Sequence, residues 1–397
     1  MDFGFTAEQE MLRDAARKFL ASEYPAAVAR AAMDSATAHD PARWRRLAAL
    51  GWTAILVPED HGGQSGSFLD MAVILEETGK VLVPGPFVAS AVLGTVAVRD
   101  AGTREQQERW LPALACGDAI ITVAPGVAVS DAEGGAGATP GVSTGGSGGV
   151  TAATAAHGSE AALPVLTAHG DTLHLDGHLP FVLDAHVADA IVVAARASTD
   201  ATVRLVLVER AAAGVSVTPL QTVDMTRRLC TVALHGARCV PLGDAAIAAR
   251  VRRRVLDHAC ASLALELVGV GQRALDMSVA YANERTQFGR PIGSFQAIKH
   301  KCVDIMVAVE TARSLAYYAA WAVGEDADDA GSAAAMAKAY CGEMAKTVTS
   351  EAIQVHGGVG FTWEHDLHLY YRRALAADAA FGAAPAHRET IMRAIAG

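Results

Sequence analysis

Arg285, Gln287, Phe288 and Gln296, with the run Gln354-Val355-His356-Gly357-Gly358, are the residues of this sequence best suited to hold a large anionic ligand. A guanidinium such as that of Arg285 can grip two oxygens of a pyrophosphate at once. Phe288, read as one helical turn beyond Arg285, offers a flat wall for a base such as adenine. The paired glycines let backbone approach a ligand closely, where a Cβ would intrude. Taken alone, Arg285-Thr-Gln287-Phe288-Gly also fits a surface arginine beside a core phenylalanine at a helix end.

The two segments resemble those of the acyl-CoA dehydrogenases, in which an Arg-x-x-Phe-Gly stretch and a Gln-x-x-Gly-Gly stretch of one subunit close over the FAD of a neighbouring subunit. Their separation matches the family. Ile292-Gly-Ser-Phe-Gln-Ala-Ile-Lys-His300 and Phe361-Thr-Trp-Glu-His-Asp-Leu-His-Leu369 are similar to actinobacterial members, as is Leu82-Val-Pro-Gly-Pro-Phe87. The last stretch suggests bulky, often steroid-derived, CoA thioesters. The resemblance covers nearly the whole chain. It implies FAD as cofactor, α,β-dehydrogenation of an acyl-CoA thioester as activity, and Arg285, Gln287, Phe288, Gln296, Gln354, Val355, His356, Gly357 and Gly358 as cofactor contacts.

The same resemblance exposes gaps. Family members hold their own flavin with a Thr-Glu-Pro-x-x-Gly-Ser-Asp loop, and the matching place here reads Thr122-Val-Ala-Pro125-Gly-Val-Ala-Val-Ser130-Asp131. A second element, a Trp-Ile-Thr turn whose hydroxyl lies near flavin N5, matches Phe181-Val182-Leu183, and a leucine cannot donate that hydrogen bond. Forming the double bond removes a weakly acidic Cα proton as hydride leaves Cβ, so a carboxylate with a raised pKa must sit in a dry pocket. The two family positions for that carboxylate match Phe381 and Ala259. The chain keeps what is lent to a neighbour and lacks what serves itself. It is thus similar to the base-deficient subunit of heteromeric members, which implies a homo- or hetero-tetramer with a paralogous acyl-CoA dehydrogenase subunit. Two alternatives stay open: a self-sufficient homotetramer with a relocated base such as Glu266, and a non-catalytic structural or regulatory member.

Glu266 lies in the apolar run Ala261-Ser-Leu-Ala-Leu-Glu266-Leu-Val-Gly, displaced from Ala259 by about 10 Å of helix. An acid so embedded either pairs with an arginine from a neighbouring helix or has a function. Asp257 projects from a different face, while Asp378 and Glu389 read as helix-surface acids. His365 and His368 also read as helix-surface residues: no third ligand clusters with them, and no metal site is expected. Nothing resembles a nucleophile elbow, and Gly269-Val-Gly271 falls inside a helical pattern without a preceding strand, unlike a dinucleotide fingerprint.

The elements that must position these residues fall into three blocks. Thr6 with Gln9 marks a capped amphipathic helix, and periodic apolar segments over 43–51, 68–82, 86–101 and 104–116 continue an all-α domain over 1–120. Residues 121–240 contain strand-like runs at 172–177, 188–195, 203–208, 215–220 and 231–235. Within them a glycine-rich stretch, 126–159, reads as a mobile loop because it cannot bury enough side chain to offset its ordering entropy. From 241 to 397, Ala-rich helices over 246–282, 294–324, 330–355, 364–380 and 385–395 should pack as an antiparallel bundle. The expected class is α+β: an N-terminal all-α domain, a small central β-barrel or sheet, and a C-terminal four-helix bundle, which is also the order of the acyl-CoA dehydrogenase fold.

Composition excludes several roles. A net charge of −10 and the lack of any basic stripe argue against a nucleic-acid partner. Cys116, Cys230, Cys239, Cys260, Cys302 and Cys341 form no Cys-x-x-Cys pair and suit reduced thiols. No apolar run reaches the ~18 residues of a membrane span, and an acid follows Met1 where a signal peptide would be basic. A cytoplasmic protein without a membrane partner is expected.

Overall fold

The computed structural model describes residues 5–126 and 163–396. Beyond Gly126, the glycine-rich stretch expected to be mobile lies outside the described residues up to residue 162.

Helix starts follow local chemistry. Thr6 and Gln9 form a reciprocal capping box at α1 (Ala7–Glu23). After α2 (Ala26–Asp34), Asp40 caps α3 (Pro41–Ala49), which has proline in its first turn. Ser67 with Asp70 caps α4 (Phe68–Lys80), and Thr103 with Gln106 caps α6 (Arg104–Ala115). Between these last two, a π-helical stretch (Phe87–Gly94) runs into α5 (Thr95–Ala101).

The β region holds β1 (Ile121–Ala124), β2 (Val165–His169), β3 (Thr172–Leu183), β4 (Ala190–Ala197), β5 (Val203–Glu209), β6 (Val215–Pro219) and β7 (Leu229–Pro241). The path β4-β2-β3-β7-β5 closes on itself, because β5 also pairs with β4. The result is a small barrel with β1 parallel to β4 and β6 beside β7. Its interior is a separate core that includes Leu175, Ile191, Val206, Val208 and Val232.

The chain then forms α7 (Ala245–Glu284), a hairpin of β8 (Thr286–Gln287) and β9 (Arg290–Pro291), α8 (Gln296–Gly324), α9 (Ala330–His356), α10 (Leu367–Ala379) and α11 (Ala384–Ala396). One continuous hydrophobic core joins the N-terminal helices to α7, α8 and α9. At the crossing of α4 and α7 the backbones meet through glycine. A Cβ on Gly79 would stand 2.1 Å from the Glu266 carbonyl, and one on Gly269 would stand 2.0 Å from that of Glu76. Gly269 is therefore a packing glycine, in keeping with its place in a helical pattern. Among the described residues, no helix is long and apolar enough to cross a membrane.

Candidate functional site

α7 ends at Glu284, so Arg285 and Phe288 are not one helical turn apart as the spacing suggested. They belong to the β8–β9 hairpin, whose two loop residues, Phe288 and Gly289, have φ of 52° and 77°. That two-residue geometry favours glycine at its second position. The hairpin thrusts Phe288 outward, leaving it 92% exposed, with an edge contact to Phe295 at 6.1 Å. Arg285 is exposed and has no ion pair among the described residues. Gln287 and Gln296 are exposed as well. A phenylalanine and an arginine are thus presented together to the outside.

The second segment closes α9 at the same end of the bundle. Gln354 and Gly358 are exposed, whereas Val355 and His356 turn inward and are each 4% exposed. The His356 ring stacks on Tyr281 at 4.5 Å and faces His365 at 4.6 Å, with its Nδ1 at 2.8 Å from the Ala352 carbonyl. Gly357 adopts φ 61° and ψ −139°, a conformation closed to residues with a Cβ. A Cβ on Gly358 would meet nothing within 4 Å, so no packing inside this chain demands glycine there. The structure thus brings Arg285, Gln287, Phe288, Gln296, Gln354 and Gly358 to one end of the bundle as outward groups. The Val355 and His356 side chains serve the packing beneath them.

At the barrel, the Thr122 hydroxyl is buried and donates to the Leu183 carbonyl at 2.6 Å. Leu183 is buried, and Phe181 is 43% exposed with φ 58°. Ala259 is fully buried within α7, and Phe381 is half-buried against the main core. The Phe381-Gly382 turn has φ of 54° and 104° and is tied from below by Lys338. That buried ammonium donates to the carbonyls of Asp378 at 2.9 Å and Gly382 at 3.0 Å. Burial pulls the Lys338 pKa below its ordinary value.

Glu266 is buried and paired through one carboxylate oxygen, while its Oε2 has no hydrogen-bond partner among the described residues. Arg227, from the β6–β7 connection, donates to its Oε1, and Nη1 of Arg373 on α10 lies 3.9 Å from the same oxygen. Arg373 also donates through Nε to Asp224 and through Nη2 to the Thr226 hydroxyl at 2.6 Å. Asp184, which follows Leu183, lies beside this cluster, 2% exposed and with Oδ1 unpartnered. Burial pushes its carboxyl up to about 6, against the pull of Arg227. Burial would also raise Asp224, but Arg373, Arg227 and Thr226 hold it below the usual range.

The other singled-out residues are placed more simply. Asp257, near Arg253, is raised by burial to about 6. Asp378 is not a surface acid: its side chain is 14% exposed and is paired with Lys346 at 2.6 Å. Glu389 pairs with Arg393 on the exposed face of α11. His365 and His368 are half-buried, the latter stacked on Trp363 at 4.5 Å. Among the described residues, no group of three or more His, Cys, Asp or Glu side chains is placed to hold a metal.

The model of the acyl-CoA dehydrogenase N-terminal domain matches residues 6–118, and that of the C-terminal domain matches residues 249–396. The acyl-CoA dehydrogenase IpdE2 of Mycolicibacterium smegmatis is 33% identical over 368 residues, spanning 92% of each chain. The chain belongs to the acyl-CoA dehydrogenase family. Family membership makes it an oxidoreductase of a group whose cofactor is FAD. Two solved structures share its fold closely. One is the ChsE4–ChsE5 complex of Mycobacterium tuberculosis, with a TM-score of 0.85 at 27% identity, covering 100% of this chain and 99% of that one. The other is a Tcur3481–Tcur3483 steroid ACAD variant, with a TM-score of 0.82 at 27% identity and 98% coverage of both.

The groups of this chain fit FAD unevenly. The outward end of the bundle offers a guanidinium, three amides, an aromatic ring and open backbone, which suit a pyrophosphate and an adenine. The barrel offers less to an isoalloxazine, since the Thr122 hydroxyl is already spent on Leu183 and Leu183 brings no donor. Sequence reasoning missed Arg227, Asp184 and Lys338. The signal for Asp184 was its place directly after the Phe181-Val182-Leu183 turn.

Proposed function

We propose that this chain is an acyl-CoA dehydrogenase subunit that completes an FAD site shared with a paralogous catalytic partner. The observation that carries this reading is an asymmetry. Arg285, Phe288, Gln296, Gln354 and Gly358 face outward, while the two positions matched to the family's catalytic carboxylate are Phe381 and buried Ala259. Arg285 would grip the pyrophosphate, Phe288 would wall the adenine, and the Gln354 amide and Gly357-Gly358 backbone would lie along the ribityl side. Bound FAD supplies the hydride acceptor for α,β-dehydrogenation. The base comes from the partner.

Two similar structures support a heteromer: each is of two named chains together, and one is described as a steroid ACAD. We assign the thioester to the bulky, steroid-derived class on that likeness and on Leu82-Val-Pro-Gly-Pro-Phe87. The assembly is placed in the cytoplasm as a tetramer. Glu266 is not favoured as a relocated base, because it is buried with Arg227 bonded to its Oε1 and Arg373 beside the same oxygen, an arrangement that serves packing.

The test is flavin stoichiometry. The chain should purify nearly free of flavin absorbance on its own, and should carry FAD and turnover when co-purified with a paralogous subunit. One tightly held FAD per protomer in the isolated chain would overturn the proposal.

A further inference from the structure

A cleft of about 840 Å³ opens between α1, α2, the end of α4, and the helices α7, α8 and α10. On α7 its Arg273 lies fourteen residues past Ala259, about 21 Å of helix, and seven residues past Glu266. Its floor is apolar: half-buried Phe5, Val81 and Met277 line it, over Leu20, Leu82 and Leu369, which are each at most 2% exposed and offer a ligand almost no surface of their own. Its volume falls within the roughly 300–1,000 Å³ typical of small-molecule sites.

The charges on its walls largely cancel in pairs. Arg17 and Lys80 are bound to Glu77, Arg313 is bound to Glu76 and Glu310, and Asp366 is bound to Arg30. Asp276 accepts the Gln272 amide at 2.8 Å, a neutral partner that leaves its charge in place. Arg273 differs. It forms no ion pair with an acid among the described residues, and it lines the cleft together with buried Tyr370, whose hydroxyl donates to the Lys80 carbonyl at 2.9 Å. The guanidinium is exposed at the cleft and no ion pair with an acid of the described residues neutralises it. Its N–H donors are open to a ligand.

We infer that this cleft binds an amphipathic monoanion, a large apolar body bearing one carboxylate, with the carboxylate on Arg273 and the body on the Phe5–Val81–Met277 floor. A guanidinium takes a carboxylate in a two-point grip. The apolar floor supplies the rest of the affinity. A fatty acid and an acidic sterol share this chemistry and differ in the shape of the body.

The proposal stands apart from the flavin reading, since its test measures carboxylate binding by the chain without FAD. Calorimetric titration with dodecanoate and with cholate should show saturable binding of one ligand per chain for at least one of them. The tighter probe identifies the body. Methyl cholate, which lacks the charge, should bind more weakly than cholate wherever cholate binds. Arg273→Gln, at an exposed position that leaves folding intact, should weaken binding at least about tenfold, as expected for losing a hydrogen bond to a charged group. Met277→Trp should weaken it by filling the floor. Failure of both probes to saturate, or unchanged affinity in Arg273→Gln, would overturn the assignment.

Discussion

Tyr281 and His356 stack with ring centroids 4.5 Å apart and an interplanar angle of 23°. Tyr281 is four residues before Arg285 on α7, and its carbonyl accepts the Arg285 N–H at 2.8 Å. His356 lies between Gln354 and Gly357. The stack therefore joins the two segments that are proposed to meet FAD, fixing the spacing between the hairpin and the end of α9. Removing it should disturb both at once.

Tyr281→Ala in the co-purified complex is expected to lower FAD content and to cost about 1–3 kcal/mol of stability, the aromatic pair supplying roughly 0.5–1.5 of that. His356→Phe, which keeps a ring in place, should retain most of the flavin. Flavin absorbance per complex and the thermal midpoint report the two effects separately. If Tyr281→Ala lowers only the midpoint, the stack is a packing contact and does not position the cofactor groups.

Arg285 offers the opposite profile, a residue exposed and without an ion pair among the described residues. Arg285→Gln should leave stability within about 0.5 kcal/mol, as surface changes usually do. It should weaken FAD retention by the complex about 10–100-fold through loss of the two-point grip, and Arg285→Lys should recover only part of it. Equilibrium dialysis of the complex against free FAD measures this. Undiminished retention would remove Arg285 from the cofactor site.

Much of this architecture was legible because its signals are local. The Thr6–Gln9 capping box, the helical periods after residue 245 and the strand composition of 203–208 and 215–220 all correspond to observed elements. α2 escaped notice because Ala26-Ala-Val-Ala-Arg-Ala-Ala-Met-Asp34 offers too few large apolar residues to show a period. The four- and five-residue strands β1 and β2 flank the glycine-rich stretch and were not singled out. The expected strand at 172–177 extends to Leu183, past register shifts near Gly177 and Leu179 that break its alternation. Buried polar partners were hidden for a different reason: Arg373 and Asp224 are 149 residues apart, and Lys338 and Gly382 are 44 apart. Periodicity could offer two fates for Glu266; only the fold brings Arg227 and Arg373 to it.

That pairing makes Glu266 and Arg373 a test of structure against catalysis. Arg373→Met leaves Glu266 and Asp224 buried with less compensation, and should cost about 3–5 kcal/mol in denaturant unfolding, the usual result of breaking a buried ion pair from one side. Glu266→Gln should destabilise the chain and leave turnover of the complex within about twofold, since uncoupled surface and structural changes need not alter the transition state. Loss of turnover with flavin still bound would restore Glu266 as a base.

Asp184 should make stability depend on pH. Its folded carboxyl is raised to about 6 by burial, from an ordinary value of 3.8. Between those values the folded chain holds a proton that the unfolded chain has released. Stability contributed by the neutral acid is then lost as pH rises through that window. Full ionisation costs about 3 kcal/mol, from roughly two pKa shifts of one unit each. Asp257, also raised to about 6, acts in the same direction. Asp224 is lowered, so its stabilising charge is lost only at pH values below the window. Asp184→Asn should therefore flatten the fall in stability between about pH 4 and 6, and make the chain more stable than the parent near neutrality. Asp184→Asn with Asp257→Asn should flatten it further. Urea unfolding across that range decides the matter: a slope in Asp184→Asn as steep as in the parent would mean that the carboxyl is already ionised in the folded chain, with Arg227 outweighing burial.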